Sequence, residues 1–250
     1  MLSDMKKMRF FGLAFAIVAA TAVFQSCSDD VGYPLGFEWV SIVTIESLND
    51  GADLFYRLDD GSTLWPSAGY YRGHNLEDGQ RALLNYTILS DSLDGFSHFV
   101  KVNSIDLILT KKIAEDKEEE NDAVYGTDPV SIQSMWIDNG FLHVWFKANF
   151  GGSRKHFINL VQANADAPYE LEFRHNAYDD PQTTSIYGIV CFNLSDLPDT
   201  DGEEVTLTIR LHTFEGDETI ELTYNSAARH VQQEMSYPYW WEPIDTQLLN

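Results

Sequence analysis

The residues most disposed to chemistry are Cys27, a crowd of acids at 196–204 and an aromatic run at 237–243. Ahead of Cys27, Lys6, Lys7 and Arg9 make a basic start, and residues 10–24 read FFGLAFAIVAATAVF. Such a run falls short of the roughly 20 residues that a helix needs to span a bilayer, and it fits the apolar centre of a secretory signal. Ser26-Cys27 at its end resembles a bacterial lipobox, with Phe24 and Gln25 standing where an aliphatic-small pair is usual. Residues 1–26 are then a lipoprotein signal peptide, and Cys27 is acylated as the first residue of the mature chain. Its partner is the lipid bilayer, because each buried CH2 of an acyl chain contributes about 0.8 kcal/mol. The alternative is a cleaved signal with an incidental cysteine. Ser28-Asp29-Asp30 resembles the export tag of surface lipoproteins in some Gram-negative bacteria, so the expected location is the outer membrane, with a lean toward the outer face.

Acylation of Cys27 leaves Cys191 without an intramolecular disulfide partner. Cys191 lies in Ile-Val-Cys-Phe, where apolar burial raises a thiol pKa, so it reads as structural. Asp199, Asp201 and Glu203 sit in LSDLPDTDGEE, and Asp-x-Asp-Gly resembles a fragment of a calcium loop, since hard cations want several oxygens around a tight turn. The full twelve-residue pattern is missing, and a polar turn explains the same residues, so no cofactor beyond this calcium option is expected. His143 and His156 fall on strands that could be neighbours, and no third ligand is in view. Tyr239, Trp240 and Trp241 offer flat apolar faces suited to packing or to sugars, and are either a C-terminal anchor or a binding surface. The nucleophile elbow, phosphate loop and zinc-helix motifs do not occur, so the chain reads as a binding protein, not an enzyme. A carboxylate pair for glycan hydrolysis is left open, because 39 acids offer many pairs.

Net charge is −23 over 250 residues, and removal of Lys6, Lys7, Arg9 and Asp4 with the signal leaves −25. A field of that sign repels phosphate backbones, which excludes nucleic acid as a partner. A hydrophobic content of 44% with 13% aromatic residues is enough for a globular core and excludes wholesale disorder.

Those residues must be positioned almost entirely by strands, because helical periodicity is scarce after Asp30. FEWVSIVTIESL at 37–48 is apolar on both faces, like a closed-barrel strand. Residues 53–65 read as a hairpin around Asp59-Asp60-Gly61 that Pro66 ends. Residues 81–89 are another strand, and 96–113, too long for one, should bend or split near Asn103-Ser104. This many strands in so short a length make a small barrel. AEDKEEEND at 114–122 reads as a solvated linker or an exposed hairpin tip. Beyond it, Asn139-Gly140 marks a hairpin, 186–194 is continuous enough for a central strand, and 205–212 and 220–224 alternate with period two. With 155–162 and the alternating 169–174, seven such strands imply two sheets packed face to face. The expected fold is all-β: a small N-terminal OB-like barrel (37–113) followed by an immunoglobulin-like antiparallel β-sandwich (128–236). A tether at 27–36 precedes the barrel, an acidic linker at 114–127 joins the two, and an aromatic tail at 237–250 follows.

The chain resembles the NigD-like lipoproteins, through the Cys27 lipobox, DLFYRLDDGSTLWP (53–66), LILTKKI (107–113), DPVSIQSMWIDNGFLHVWF (128–146) and KHFINLV (155–161), in that order. The resemblance implies an N-terminal OB-type domain and a C-terminal β-sandwich, and brings no catalytic residue with it. OB barrels usually carry a helix between their third and fourth strands, and only about six residues (90–95) are available here, which implies a reduced barrel. The implied role is a cell-envelope binding or interaction protein with a glycan or protein ligand. The family's name, from a bacteriocin gene cluster, implies the alternative of protection against a secreted peptide toxin. An envelope polysaccharide-active enzyme is the third reading.

Overall fold

The computed structural model describes residues 36–48, 53–69, 76–92, 94–152, 154–181, 183–228 and Leu249. Cys27, Tyr239, Trp240 and Trp241 lie outside the described residues. The first five strands, β1 (Trp39–Leu48), β2 (Asp53–Leu58), β3 (Thr63–Gly69), β4 (Arg81–Ser90) and β5 (His98–Leu107), close a barrel in the order β1-β2-β3-β5-β4. One half of β1 pairs with β4 and the other half with β2, and the parallel β3–β5 pairing completes the ring. Alternation puts Val43, Ile45, Tyr56, Leu64, Leu84 and Val100 inside. This is the five-stranded OB topology.

Three local expectations change. Pro66 does not end its strand: it lies within β3 at a register shift against β5, where a missing N–H is tolerated. The third-to-fourth strand connection is 70–80, whereas Ser90 ends the fourth strand and 91–95 belong to the connection between the fourth strand and the fifth. The long run 96–113 both bends and splits. Asn103 is the extra residue where β5 shifts register against β4, and its amide donates to Asn85 and Thr87. The run then breaks at Ile108.

Beyond Ile108 the chain is already in the sandwich. Strand β6 (Leu109–Lys112) pairs in parallel with β11 (Thr184–Asn193), in a sheet ordered β6-β11-β8-β7 that includes β7 (Ser131–Asp138) and β8 (Phe141–Phe150). The second sheet, β13-β12-β10-β9, holds β9 (Phe157–Val161), β10 (Glu170–Asn176), β12 (Val205–Thr213) and β13 (Gly216–Tyr224). Pairing is antiparallel except at β6–β11 and β10–β12. Asn139 and Gly140 both take positive φ, +46° and +79°, and make the tight β7–β8 hairpin. Leu142, Phe146, Leu160, Phe173, Phe192 and Ile209 fill the space between the sheets. The acidic stretch has structure of its own. A 3-10 turn (Glu118–Glu120) leads into a short helix, α1 (Asn121–Tyr125), whose Asn121 and Tyr125 are buried; the Tyr125 hydroxyl donates to the Glu115 carbonyl.

Barrel and sandwich share a small core: Ile42, Leu83 and Ile108 meet Phe141, Ile189 and Cys191. At its centre lies a fully buried ion pair. Both terminal nitrogens of Arg81 donate to Asp59, each at 2.6 Å, and Arg81 also donates to Thr44 Oγ1 at 2.8 Å. Arg81 Nη2 stands 3.1 Å from His143 Nε2. A guanidinium only donates, so Nε2 accepts and the imidazole carries its proton on Nδ1. Burial, followed by the charge of Arg81, pushes the His143 pKa well below its ordinary value, and Trp136 stacks on the ring at 4.9 Å. Burial opposes the charge of Arg81 too, but its bonds to Asp59 outweigh this and hold its pKa above the ordinary value.

A second buried polar group lies inside the sandwich. His175 Nε2 is 2.9 Å from His156 Nδ1, and His156 Nε2 is 3.4 Å from Asp180 Oδ2. A carboxylate only accepts, so protons run from His175 to His156 and from His156 to Asp180. His156 also bridges Leu249, which is buried. Burial, then His156, lowers the His175 pKa to about 4.

Two stability measurements check these clusters. Asp59→Asn leaves a buried guanidinium without its countercharge and should cost about 3–5 kcal/mol, seen as a lower urea midpoint. Asp59→Leu/Arg81→Met removes both charges and should recover most of that loss; equal losses would contradict the account. For His175, the unfolded chain takes up a proton near pH 6.5 that the folded chain refuses until about 4, so stability falls as pH drops through that window. A difference of this size amounts to roughly 3 kcal/mol. His175→Gln should therefore show a shallower loss of urea midpoint between pH 7 and pH 4.5 than the natural chain does.

Candidate functional site

Because Tyr56, Leu58 and Leu64 point into the barrel, their neighbours Phe55, Arg57 and Trp65 point out. The pairings of Tyr56 with Leu64 and of Trp65 with Phe99 set Phe55, Trp65 and Phe99 side by side across β2, β3 and β5. Phe96, from the loop before β5, packs over the row at 5.5 Å from Phe55, 4.9 Å from Trp65 and 6.3 Å from Phe99. The loop is held there: the Thr63 N–H donates to Ser97 Oγ at 3.0 Å, and the Ser97 N–H donates back to the Thr63 carbonyl at 2.9 Å. Trp65, Phe96 and Phe99 are half-buried, and Phe55 is buried beneath them.

A charged pair closes one end of this row. Arg57 lies over the Phe55 ring at 5.5 Å and grips both oxygens of Glu46, at 2.5 and 2.8 Å. The bond to Glu46 raises the pKa of Arg57 against the effect of burial. The arrangement offers a preorganised apolar surface edged by one donor group and one acceptor group with no net charge. That suits a ligand with apolar faces and hydroxyl edges. In OB barrels the β2–β3 face and the β4–β5 loop are the ligand-binding elements. Nothing in the sequence sets these residues apart, because Phe96, Phe99 and the apolar residues of 53–66 fall in runs that read as ordinary strands.

The residues that the sequence singled out are placed elsewhere. His143 and His156 belong to separate clusters, one at the barrel–sandwich contact and one inside the sandwich. Cys191 is fully buried, and burial pushes its thiol up to about 12. Asp199 is already engaged, accepting from the hydroxyl of Ser226, just beyond β13, at 2.6 Å and from the Asp201 N–H in its own turn at 3.0 Å. The Ser226 bond lowers its pKa. Glu203 donates its N–H to Thr200 across the same turn. Among the described residues, no three His, Cys, Asp or Glu side chains are gathered to hold a metal ion. A groove of about 360 Å3 crosses the outer face of β10, β12 and β13, but its cations are already matched. Arg174 bonds Asp122 and Glu172, Arg210 bonds Glu170, and His212 bonds Asp217.

Comparison with known proteins agrees with this architecture. A family model described as the NigD-like N-terminal OB domain matches residues 42–108, and one described as the NigD-like C-terminal beta sandwich domain matches 112–224. Among solved structures, a Parabacteroides distasonis protein named toxin-related is 48% identical, with a TM-score of 0.71 over 76% of this chain and 95% of its own. A NigD-like immunity protein from Bacteroides caccae shares the fold at 19% identity, with a TM-score of 0.57 over 73% of this chain and 91% of its own. A Bacteroides fragilis protein that bears a lipoprotein name does so at 11% identity, with a TM-score of 0.55 over 77% of this chain and all of its own. Among curated proteins none matches. With both domain models met in order across residues 42–224, the chain belongs to the NigD-like family.

Proposed function

We propose that this protein is a cell-envelope lipoprotein, anchored through acylated Cys27, that binds a carbohydrate across the aromatic face of its barrel without transforming it. The observation that carries the reading is the Phe55–Trp65–Phe99 row with Phe96 locked over it. Ring faces stack on the apolar faces of sugar rings, and the Arg57–Glu46 pair at the edge supplies hydrogen-bonding groups for hydroxyls. The row is uncharged within a strongly acidic chain, which favours a neutral ligand over a polyanion. A binding role also fits the burial of the groups best suited to nucleophilic or base chemistry: Cys191, His143, His156 and His175 are all withdrawn from solvent. The anchor rests on the signal-like residues 10–24 and Ser26-Cys27, and a lipoprotein name borne by a relative of the same fold is consistent with it. The proposed location is the outer membrane, and the origin of the 48%-identical relative in Parabacteroides distasonis is consistent with a Gram-negative envelope.

A second reading is supported by the toxin-related name of the 48%-identical relative: protection against a secreted peptide toxin. A mature charge of −25 would draw in a cationic peptide electrostatically. Ionic strength separates the two, since capture by charge weakens steeply with salt and stacking on rings does not.

Radiolabelled palmitate should enter the natural chain and not Cys27→Ser, and proteolysis of intact cells should clip the labelled protein where it faces outward. On a glycan array, Trp65→Ala and Phe96→Ala should weaken the leading glycan about tenfold each, the equivalent of ~1.4 kcal/mol. The affinity of the natural chain should change little between 50 mM and 500 mM salt. Binding unchanged in both variants, with melting temperatures preserved, would remove the aromatic face from the function.

A further inference from the structure

Exposed large apolar side chains gather at the end of the barrel where the described chain begins. Phe37 is 54% exposed, Trp39 39%, Val40 43% and, on β4, Leu89 40%. The pairings of Trp39 with Tyr86 and of Val40 with Asn85 run toward Phe37 on one strand and toward Leu89 on the other, so the four lie at one end of the β1–β4 ribbon, with Phe37 and Trp39 on one face and Val40 on the other. Phe37 and Trp39 meet edge to face at 5.1 Å. Glu38, between them, is drawn aside by Asn85, whose amide donates to it at 3.1 Å.

The length of the tether bears on what can cover this end of the barrel. Eight residues, 28–35, separate Cys27 from Gly36, and nine peptide steps reach about 30 Å at most. An acyl group at Cys27 therefore holds this end of the barrel, more than any other part, against the lipid. We propose that Phe37, Trp39, Val40 and Leu89 enter the bilayer interface and rest the barrel on the membrane. The proposal rests on acylation of Cys27. Tryptophan favours the headgroup level and phenylalanine and leucine the acyl side of that boundary, and an apolar contact too weak to recruit a free protein is sufficient for one already tethered at high local concentration. The contact is apolar and not electrostatic, as it must be for so acidic a chain.

The test uses the full acylated protein, purified from cells fed labelled palmitate. With Cys27 acylated and Cys191 buried, Val40→Cys provides a single reactive thiol for an environment-sensitive fluorophore. On phosphatidylcholine vesicles the label at 40 should brighten several-fold and shift to the blue. A label at Thr219→Cys, on the outer face of the sandwich, should not. Adding Phe37→Ser/Leu89→Ser should abolish the change at 40 while the protein still floats with the vesicles, and raising salt should leave it intact. Palmitate-labelled protein that floats without a change at 40 overturns the proposal and leaves the anchor standing. A chain that takes up no palmitate overturns the anchor and the proposal together.

Discussion

Everything else in the molecule is arranged around the burial of one guanidinium. Arg81 has no exposed surface, so its charge persists only because Asp59 meets it at two points and Thr44 meets it at a third. All three belong to the barrel, yet the barrel alone could not bury the group. The cover comes from Phe141, whose ring lies 4.9 Å from the guanidinium carbon, and from His143 and Cys191 on the sandwich. A buried pair that keeps both partners is close to neutral for stability, whereas one partner left without the other is expensive. Separating the domains would wet this pair and strip its cover in one step, which makes the two domains interdependent. The chain path reinforces this. Barrel passes into sandwich through Ile108 alone, whose N–H donates to the Arg81 carbonyl and whose side chain lies in the shared core.

That contact also decides which wall of the barrel remains free. Ile42 on β1 and Leu83 on β4 turn toward the sandwich, so the opposite wall of β2, β3 and β5 is the one left to solvent. The rings of Phe55, Trp65 and Phe99 occupy that wall. Rings on β1 or β4 at the level of Ile42 would instead have been buried in the joint. The position of the candidate site thus follows from the docking of the domains as much as from the barrel's own sequence. The same logic gives β11 its composition: Val190 and Phe192 fill the sandwich while Ile189 and Cys191 face the barrel, so both sides are apolar.

Much of this was legible in the sequence wherever the cause was local. Asn139-Gly140 adopts the two positive φ angles that its residue types permit, and period-two alternation marks β10, β12 and β13. The two-sided apolar character of 37–48 and 186–194 was visible as well, but its reason was not, because the second face belongs to another domain. Asp59 looks like a turn residue and is half of the buried pair; its partner is 22 positions away, and the imidazole of His143 beside Arg81 is 62 positions from it. Phe96 looked like the start of a strand and is the residue that gathers three rings from three strands. Pairing, register and burial among distant segments determine these roles, and composition at one position does not encode them.

The acidic run 114–122 shows the same limit from the other side. Six acids in nine residues suggest a solvated spacer across which domains could swing. The segment instead sits within the sandwich, after β6 has already paired, and it is pinned at several points. Ala114 pairs with Val161, the Asn121 amide donates to Asp116, and Asp122 takes a hydrogen bond from Arg174. Its glutamates 118–120 remain in water, where mutual repulsion is screened and costs little. With the acidic run excluded as the joint and Ile108 buried as the actual one, no flexible segment separates barrel from sandwich. A ligand held on the β2–β3–β5 wall would therefore meet a single body, and a constraint placed on the barrel, whether by a ligand on that wall or by a tether at Gly36, fixes the orientation of the sandwich as well.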